Sequence, residues 1–246
     1  MRRFYVDPAE LEKPEPIISG TQADHIRRVL RLTEGEDIDL VDGTGRCFKA
    51  RITGFKKNAV HVAIIEQTSV RADPDIELIL AQGFLKENKM DDLIRQTTEL
   101  GITRWVPMFT ERTVARPDTR RLEKRLKRWR SIAVEAIKQC KRSIVPEISP
   151  AMEFSDLLNL ADTVDLALFF WEDADSLIPV GSGGKPKSVL LMLGPEGGFS
   201  EKEARSAQIR NMQFATLGPR ILRAETAALA ACSLAQYLYG DLQKSP

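Results

Sequence analysis

Residues 191–204, LMLGPEGGFSEKEA, place three glycines and a proline directly behind an apolar run. Glycine lets the main chain take conformations closed to other residues and lets a ligand approach the backbone, while Pro195 stiffens the entry. Ser200 and Glu203 stand at the spacing of a capping box, so a helix is expected to start where the loop stops. The arrangement returns at residues 214–231, FATLGPRILRAETAALAA, as apolar run, Gly218-Pro219, basic and apolar loop, then helix. Small ligands bind beyond the carboxyl ends of parallel strands, where loops diverge and helix N-termini present free N–H groups. Two such loops can form two walls of one pocket, although each alone also suits a plain tight turn.

Familiar nucleotide motifs do not describe these loops. Gly194, Gly197 and Gly198 have the wrong spacing for the dinucleotide fingerprint, and its downstream ribose-binding acid is missing. Lys185 is followed by Pro186 rather than Ser or Thr, which rules out a P-loop, and no Gly-x-Ser-x-Gly elbow is present. Only two histidines occur, His25 and His61, with no carboxylates at ligand spacing, so no catalytic metal is expected. The pocket is therefore expected to take another class of cofactor.

The elements that must position these loops follow from patterning. Residues 36–66 read as short strands broken by DGTG and KKN, an antiparallel meander in which Asp42-Gly43 supplies a turn. Upstream, TQADHIRRVLRL puts Ile26, Val29 and Leu30 at helical spacing, with Arg27, Arg28 and Arg31 on other faces and Thr21 and Asp24 as expected caps. From residue 76 strands alternate with helices: IELILAQG, then a helix with a Met90, Leu93, Ile94, Thr97, Leu100 stripe ending at Gly101, then RWVPMF and a charged helix over about 119–141. LALFFWE, SVLLML, a helix from about Glu201, QFATLG and a last helix from about Ala224 complete the series. Such alternation predicts an α/β domain with a mostly parallel sheet covered by helices on both faces. The last helix is rich in alanine, which suits either tight core packing or a subunit interface. Cys232 within it reads as a small core residue.

The 246-residue chain, with 43% hydrophobic residues, is long enough for one large domain or two modest ones. Its net charge of +1 gives no global attraction to nucleic acid or anionic membrane, so any such partner must meet a local patch. Three separated cysteines fit neither a disulfide framework nor a zinc knuckle. The start MRRFYVDPAE lacks the apolar core of a signal peptide, and LALFFW and VLLML are too short to span a bilayer; a cytoplasmic protein with no membrane partner is expected.

Together LGPEGGFS and LGPRILRAETAA resemble the cofactor motifs of SPOUT methyltransferases, specifically the ribosomal RNA small subunit methyltransferase E family. The resemblance extends to HIRRVLRLTEGEDIDLVDGTG, KMDDLIRQTTELGITRWVPMFTERTV and RWRSIAVEAIKQCKRSIVP, nearly the whole chain. Arg95-Gln96 and Ile137-Lys138 depart from the family tendency toward Gln-Lys and Ala-Glu. The resemblance implies a PUA-like β-barrel RNA-binding domain over residues 1–72 and a SPOUT domain with a carboxyl-terminal trefoil knot over 73–246. It also implies S-adenosylmethionine as methyl donor, a homodimer, and a uracil N3 target in small-subunit (16S) ribosomal RNA, in the assembled subunit. On this analogy Leu193, Gly194, Pro195, Gly197, Gly198, Leu217, Gly218, Ile221, Leu222 and Thr226 hold the cofactor.

Methylating N3 of uridine requires loss of the N3 proton as nitrogen attacks the methyl group. Arg223 can stabilise the developing uracil anion or instead bind phosphate. Glu196 or Glu225 can take the proton, or cap a helix or bind cofactor hydroxyls, and mere orientation of the two partners can also suffice. RNA contacts are expected from Arg2, Arg3, Arg27, Arg28, Arg31 and Arg112, with the basic run RRLEKRLKRWR either joining them or forming a solvated helix face. Two other readings compete: a non-catalytic RNA-binding ribosome assembly factor that keeps the fold, and a nucleotide-dependent oxidoreductase, which the missing dinucleotide fingerprint disfavours.

Overall fold

A computed structural model describes residues 2–69, 72–114, 116–179, 184–210 and 212–243. Residues 181–183 of the GSGGKPK segment and Arg71 of the RADPD segment, where a loop and a linker are expected from composition, lie outside them. The chain forms two compact units: Met1–Asp73 with Val134–Val145, and Pro74–Ala133 with the chain from Pro146 onward. A boundary at 72/73 alone does not capture the return of residues 134–145 to the first unit.

The first unit contains β1 (Arg3–Tyr5), α1 (Pro8–Leu11), β2 (Ile17–Ser19), α2 (Gly20–Asp24), a wider π-type turn at His25–Val29, β3 (Asp37–Val41), β4 (Cys47–Lys56) and β5 (Ala59–Thr68). Its five-stranded sheet runs β1-β3-β4-β5-β2. The meander β3-β4-β5 is antiparallel as the turn residues predict, and Asp42 closes the first turn by accepting from the N–H of Thr44 at 2.8 Å. Alternate strand residues (Ile38, Leu40, Ala50, Ile52, Val60, Val62) pack with Phe4, Ile18 and Ile26 into one core. One expectation fails: Ser19, not Thr21 or Asp24, occupies the N-cap of α2, and a π-type turn follows rather than a continuous α-helix. That wider turn still turns Ile26 into the core, while Val29 is left exposed.

The second unit contains β6 (Glu77–Gly83), α3 (Lys89–Glu99), β7 (Arg104–Phe109), most of α4 (Thr119–Cys140), β8 (Glu147–Ile148), β9 (Met152–Glu153), α5 (Phe154–Ala161), β10 (Leu166–Phe170), β11 (Ser188–Leu193), α6 (Glu201–Ile209), β12 (Gln213–Ala215) and α7 (Ala224–Tyr239). The sheet order is β12-β10-β11-β6-β7-β8, with β9 on β7, and every pairing is parallel. Near-continuous apolar strands such as LILA and VLLML are buried on both faces, as a covered parallel sheet requires. Leu78, Leu80, Leu191 and Leu193 face a cluster with residues of α3, α4 and α7, while Ile79, Ala81, Leu190 and Met192 face one with α5 and α6. Ala228, Ala231, Cys232 and Ala235 of α7 are fully buried, so small side chains there serve core packing. Burial pushes the Cys232 thiol up to about 12, which leaves it an inert core group.

Candidate active site

The first glycine loop leaves β11 at Leu193 and enters α6 through Ser200, whose hydroxyl accepts from the Glu203 N–H while the Glu203 carboxylate accepts from the Ser200 N–H. The capping box is thus formed, and it does more than start the helix. Glu203 also accepts from the N–H of Glu111 at 2.9 Å, and the Ser200 hydroxyl donates to Glu111, tying the turn after β7 to the loop. At its base the loop crosses β6. Gln82, fully buried, donates to the Gly194 carbonyl at 2.9 Å, and a Cβ on Gly83 would lie 2.5 Å from the Pro195 nitrogen, so only glycine permits this crossing. Gly198 has φ +66°, the left-handed region that favours glycine.

The second loop, 216–223, leaves β12 and ends at Arg223, the N-cap residue of α7. Both loops line one cavity of about 520 Å³ in the second unit. Leu193, Gly194, Pro195, Gly198, Leu217, Gly218, Ile221 and Leu222 are all on its walls, together with Glu196, Arg223 and Glu225. Gly197 and Thr226 are not. Gly197 faces outward, its carbonyl accepting from Arg112 at 2.8 Å, and Thr226 is exposed on α7. Arg112 therefore sits against the glycine loop. Ile221 is 87% exposed, an apolar side chain with no protein surface to cover it.

Patterning did not single out Phe170 at the end of β10, Trp171 and Glu172 after it, Thr216, or Lys89 of α3, all of which line the cavity. Their recruitment is purely topological, because β10 lies between β12 and β11 in the sheet and α3 follows their neighbour β6. Lys89 bridges two candidate carboxylates, with its Nζ 3.3 Å from Glu196 and 3.4 Å from Glu225. Burial works to lower the Lys89 pKa, but hydrogen bonds to Glu196 and Glu225 hold it above the usual lysine value. Burial likewise works to raise Glu196, and donors from the Lys86 N–H (3.0 Å), its own N–H and Lys89 outweigh it, holding the carboxyl below its usual range.

In the first unit the expected RNA-binding arginines divide. Arg3 donates to the Arg142 carbonyl at 2.9 Å and to Cys47, and Arg27 donates to the carbonyls of Lys57 and Ala59 and lies over the Phe55 ring. Both act as internal ties. Arg2 pairs with Glu36 at 2.9 Å, Arg28 is largely exposed beside Asp24, and Arg31 is exposed with φ +51°.

A parallel α/β unit whose glycine loops close on a nucleotide-sized cavity, paired with a small β unit, defines the class. The model of an RNA methyltransferase domain matches residues 72–236, and that of an RNA methyltransferase PUA domain matches residues 18–65. The Bacillus subtilis ribosomal RNA small subunit methyltransferase E is 32% identical, covering 96% of each chain. Two solved structures agree over nearly their full lengths. A Legionella pneumophila methyltransferase in complex with S-adenosylmethionine is 31% identical (TM-score 0.89, covering 98% of this chain and 99% of that one). The Neisseria gonorrhoeae ribosomal RNA small subunit methyltransferase E, also bound to S-adenosylmethionine, is 30% identical (TM-score 0.88, covering 99% and 100%). The chain belongs to the ribosomal RNA small subunit methyltransferase E family.

Proposed function

We propose that the chain methylates N3 of a uridine in small-subunit ribosomal RNA, within the assembled subunit, using S-adenosylmethionine. The observation that carries this reading is the convergence of both glycine loops and the Lys89, Glu196, Arg223 and Glu225 side chains on one cavity. The cavity fits the cofactor: its walls combine apolar side chains (Leu193, Leu217, Ile221, Leu222) with glycine backbone, as an adenosine requires, and leave charged groups at the rim. When bound, S-adenosylmethionine supplies an electrophilic methyl group. Leu193, Gly194, Pro195 and Gly198 on one wall and Leu217, Gly218, Ile221 and Leu222 on the other would hold its adenosine.

Arg223 stabilises the negative charge that develops on uracil as N3 loses its proton. It is exposed at the start of α7 and makes no ion pair among the described residues, so its cation is available. Glu196, held ionised by its donors, is a weak proton acceptor and anchors the loop. Glu225, the remaining carboxylate beside Lys89, accepts the N3 proton, and in-line positioning of the two reactants carries most of the rate. Arg28 and Arg31 of the first unit, Arg2, and the basic run 120–130 on α4 contact RNA phosphates. The family resemblance supports the N3 target and a trefoil-knotted carboxyl terminus, the latter consistent with α7 packing back on β6 and β11 rather than beside β12. Exposed Leu234, Tyr237 and Leu242 support a homodimer, and the protein works in the cytoplasm, where ribosomal subunits are.

The test incubates methyl-labelled S-adenosylmethionine with unmodified small subunits, digests the RNA and identifies the labelled nucleoside. Label in 3-methyluridine is expected. Label in another nucleoside corrects the target, and no label despite cofactor binding favours a non-catalytic assembly factor.

A further inference from the structure

Three carboxylates line the cavity: Glu172, Glu196 and Glu225. Lys89 engages two of them, whereas Glu172 has neither ion pair nor hydrogen bond among the described residues. It is nonetheless held in place. The Trp171 N–H donates to the Ala215 carbonyl at 3.2 Å, the Ala174 N–H donates to the Trp171 carbonyl at 3.2 Å, and the Trp171 ring packs on Phe214 with centroids 5.8 Å apart. The turn carrying Glu172 is therefore pinned to β12 at the point where the second glycine loop departs.

Topology places this turn between the two loops. β10 is hydrogen-bonded to β11 on one side and β12 on the other, so its carboxyl end opens between the two strands that deliver the cavity walls. Both Glu172 carboxylate oxygens lie 3.8–3.9 Å from the point a Cβ on Gly198 would occupy, facing the notch that this glycine leaves open. A carboxylate can only accept hydrogen bonds, and two adjacent hydroxyls match its two oxygens with short, charge-assisted bonds. The cationic side chains of the cavity, Lys89, Arg220 and Arg223, belong instead to α3 and the approach to α7.

We propose that the Glu172 carboxylate accepts hydrogen bonds from the vicinal ribose hydroxyls of the methyl donor. The assignment rests on the S-adenosylmethionine reading above and names the polar anchor of the adenosine, which the glycine loops otherwise bind through backbone and apolar side chains. It also accounts for a carboxylate on a pinned turn that has no partner among the described residues.

Calorimetry on the full chain separates the possibilities, using S-adenosylmethionine, 5′-methylthioadenosine, which keeps the ribose and lacks the amino acid, and the 2′-deoxy form of the latter. For Glu172→Gln and Glu172→Ala, with thermal melting to show that the exposed position leaves the fold intact, affinity for both ribose-bearing ligands is expected to fall about tenfold or more. The penalty that wild type shows against the 2′-deoxy ligand is expected to shrink in the variants. Unchanged affinity for 5′-methylthioadenosine overturns the proposal, including the case where only S-adenosylmethionine binding weakens, which would assign Glu172 to the methionine ammonium. Wild type that binds no S-adenosylmethionine would instead overturn the cofactor reading itself.

Discussion

Gly198→Ala tests whether the first glycine loop is a cofactor wall or only a tight turn. At φ +66° an alanine is strained by about 1–2 kcal/mol relative to a right-handed conformation. Among the described residues its Cβ would meet nothing closer than the Glu172 carboxylate at 3.8 Å, which is ordinary contact, so backbone strain is the folding cost. That cost should lower Tm by roughly 2–4 °C per kcal/mol for a chain of this size. The added methyl group, however, projects into the notch between the loop and Glu172. Affinity for S-adenosylmethionine is expected to drop at least about tenfold, about 1.4 kcal/mol, with Gly198→Val losing more. Gly35→Ala supplies the control: φ is +89°, nothing lies within 4 Å of the new Cβ, and the position is in the first unit. The two variants should lose similar stability, and only Gly198→Ala should lose cofactor affinity by calorimetry. A folded Gly198→Ala protein that binds S-adenosylmethionine as wild type does would refute steric exclusion at this wall.

Other expectations follow from the same geometry. Because Glu196 is held below its usual pKa, its contribution to stability is complete above the ordinary carboxylate value near 4.5 and is lost as pH falls through its lower folded value. The difference in Tm between wild type and Glu196→Gln should therefore be largest at neutral pH and shrink as the solution is acidified; a gap that does not shrink in acid would contradict it. Arg223→Ala should slow single-turnover methyl transfer by about 10²–10³ if its cation acts on the developing anion. Since the side chain makes no capping hydrogen bond, thermal stability should not change. Arg27→Ala should destabilise the protein, by about 1 kcal/mol for each net hydrogen bond lost to Lys57 and Ala59, as read by denaturant titration. Arg28→Ala should leave stability alone and reduce the salt dependence of RNA binding.

Local patterning predicted what local physics governs. The Ser200–Glu203 box, the Met90-Leu93-Ile94-Thr97 stripe and the DGTG turn each depend on residues within a few positions of one another, so spacing is enough to read them. The two Gly-Pro loops were legible for the same reason, and whole-chain resemblance carried them to a methyltransferase class that periodicity alone does not indicate. Short elements escaped: β8 and β9 are two residues each and exist only because β7 offers them an edge, and α5 needs the sheet face it covers.

Which charged groups are free was decided by tertiary structure alone. Arg3, Arg27, Arg28 and Arg31 look alike in the sequence, yet carbonyls from other strands and loops engage the first two and leave the latter pair exposed. Glu196 and Glu225 look like unpaired carboxylates until Lys89, far away in the chain, joins both. Glu172 carries no motif at all, and it reaches the cavity only because sheet order sets β10 between the strands that bear both glycine loops. The amino-acid sequence thus determined which segments could form loops, caps and stripes, since those depend on near neighbours. The sheet order determined which side chains meet, because strands adjacent in space come from distant parts of the chain.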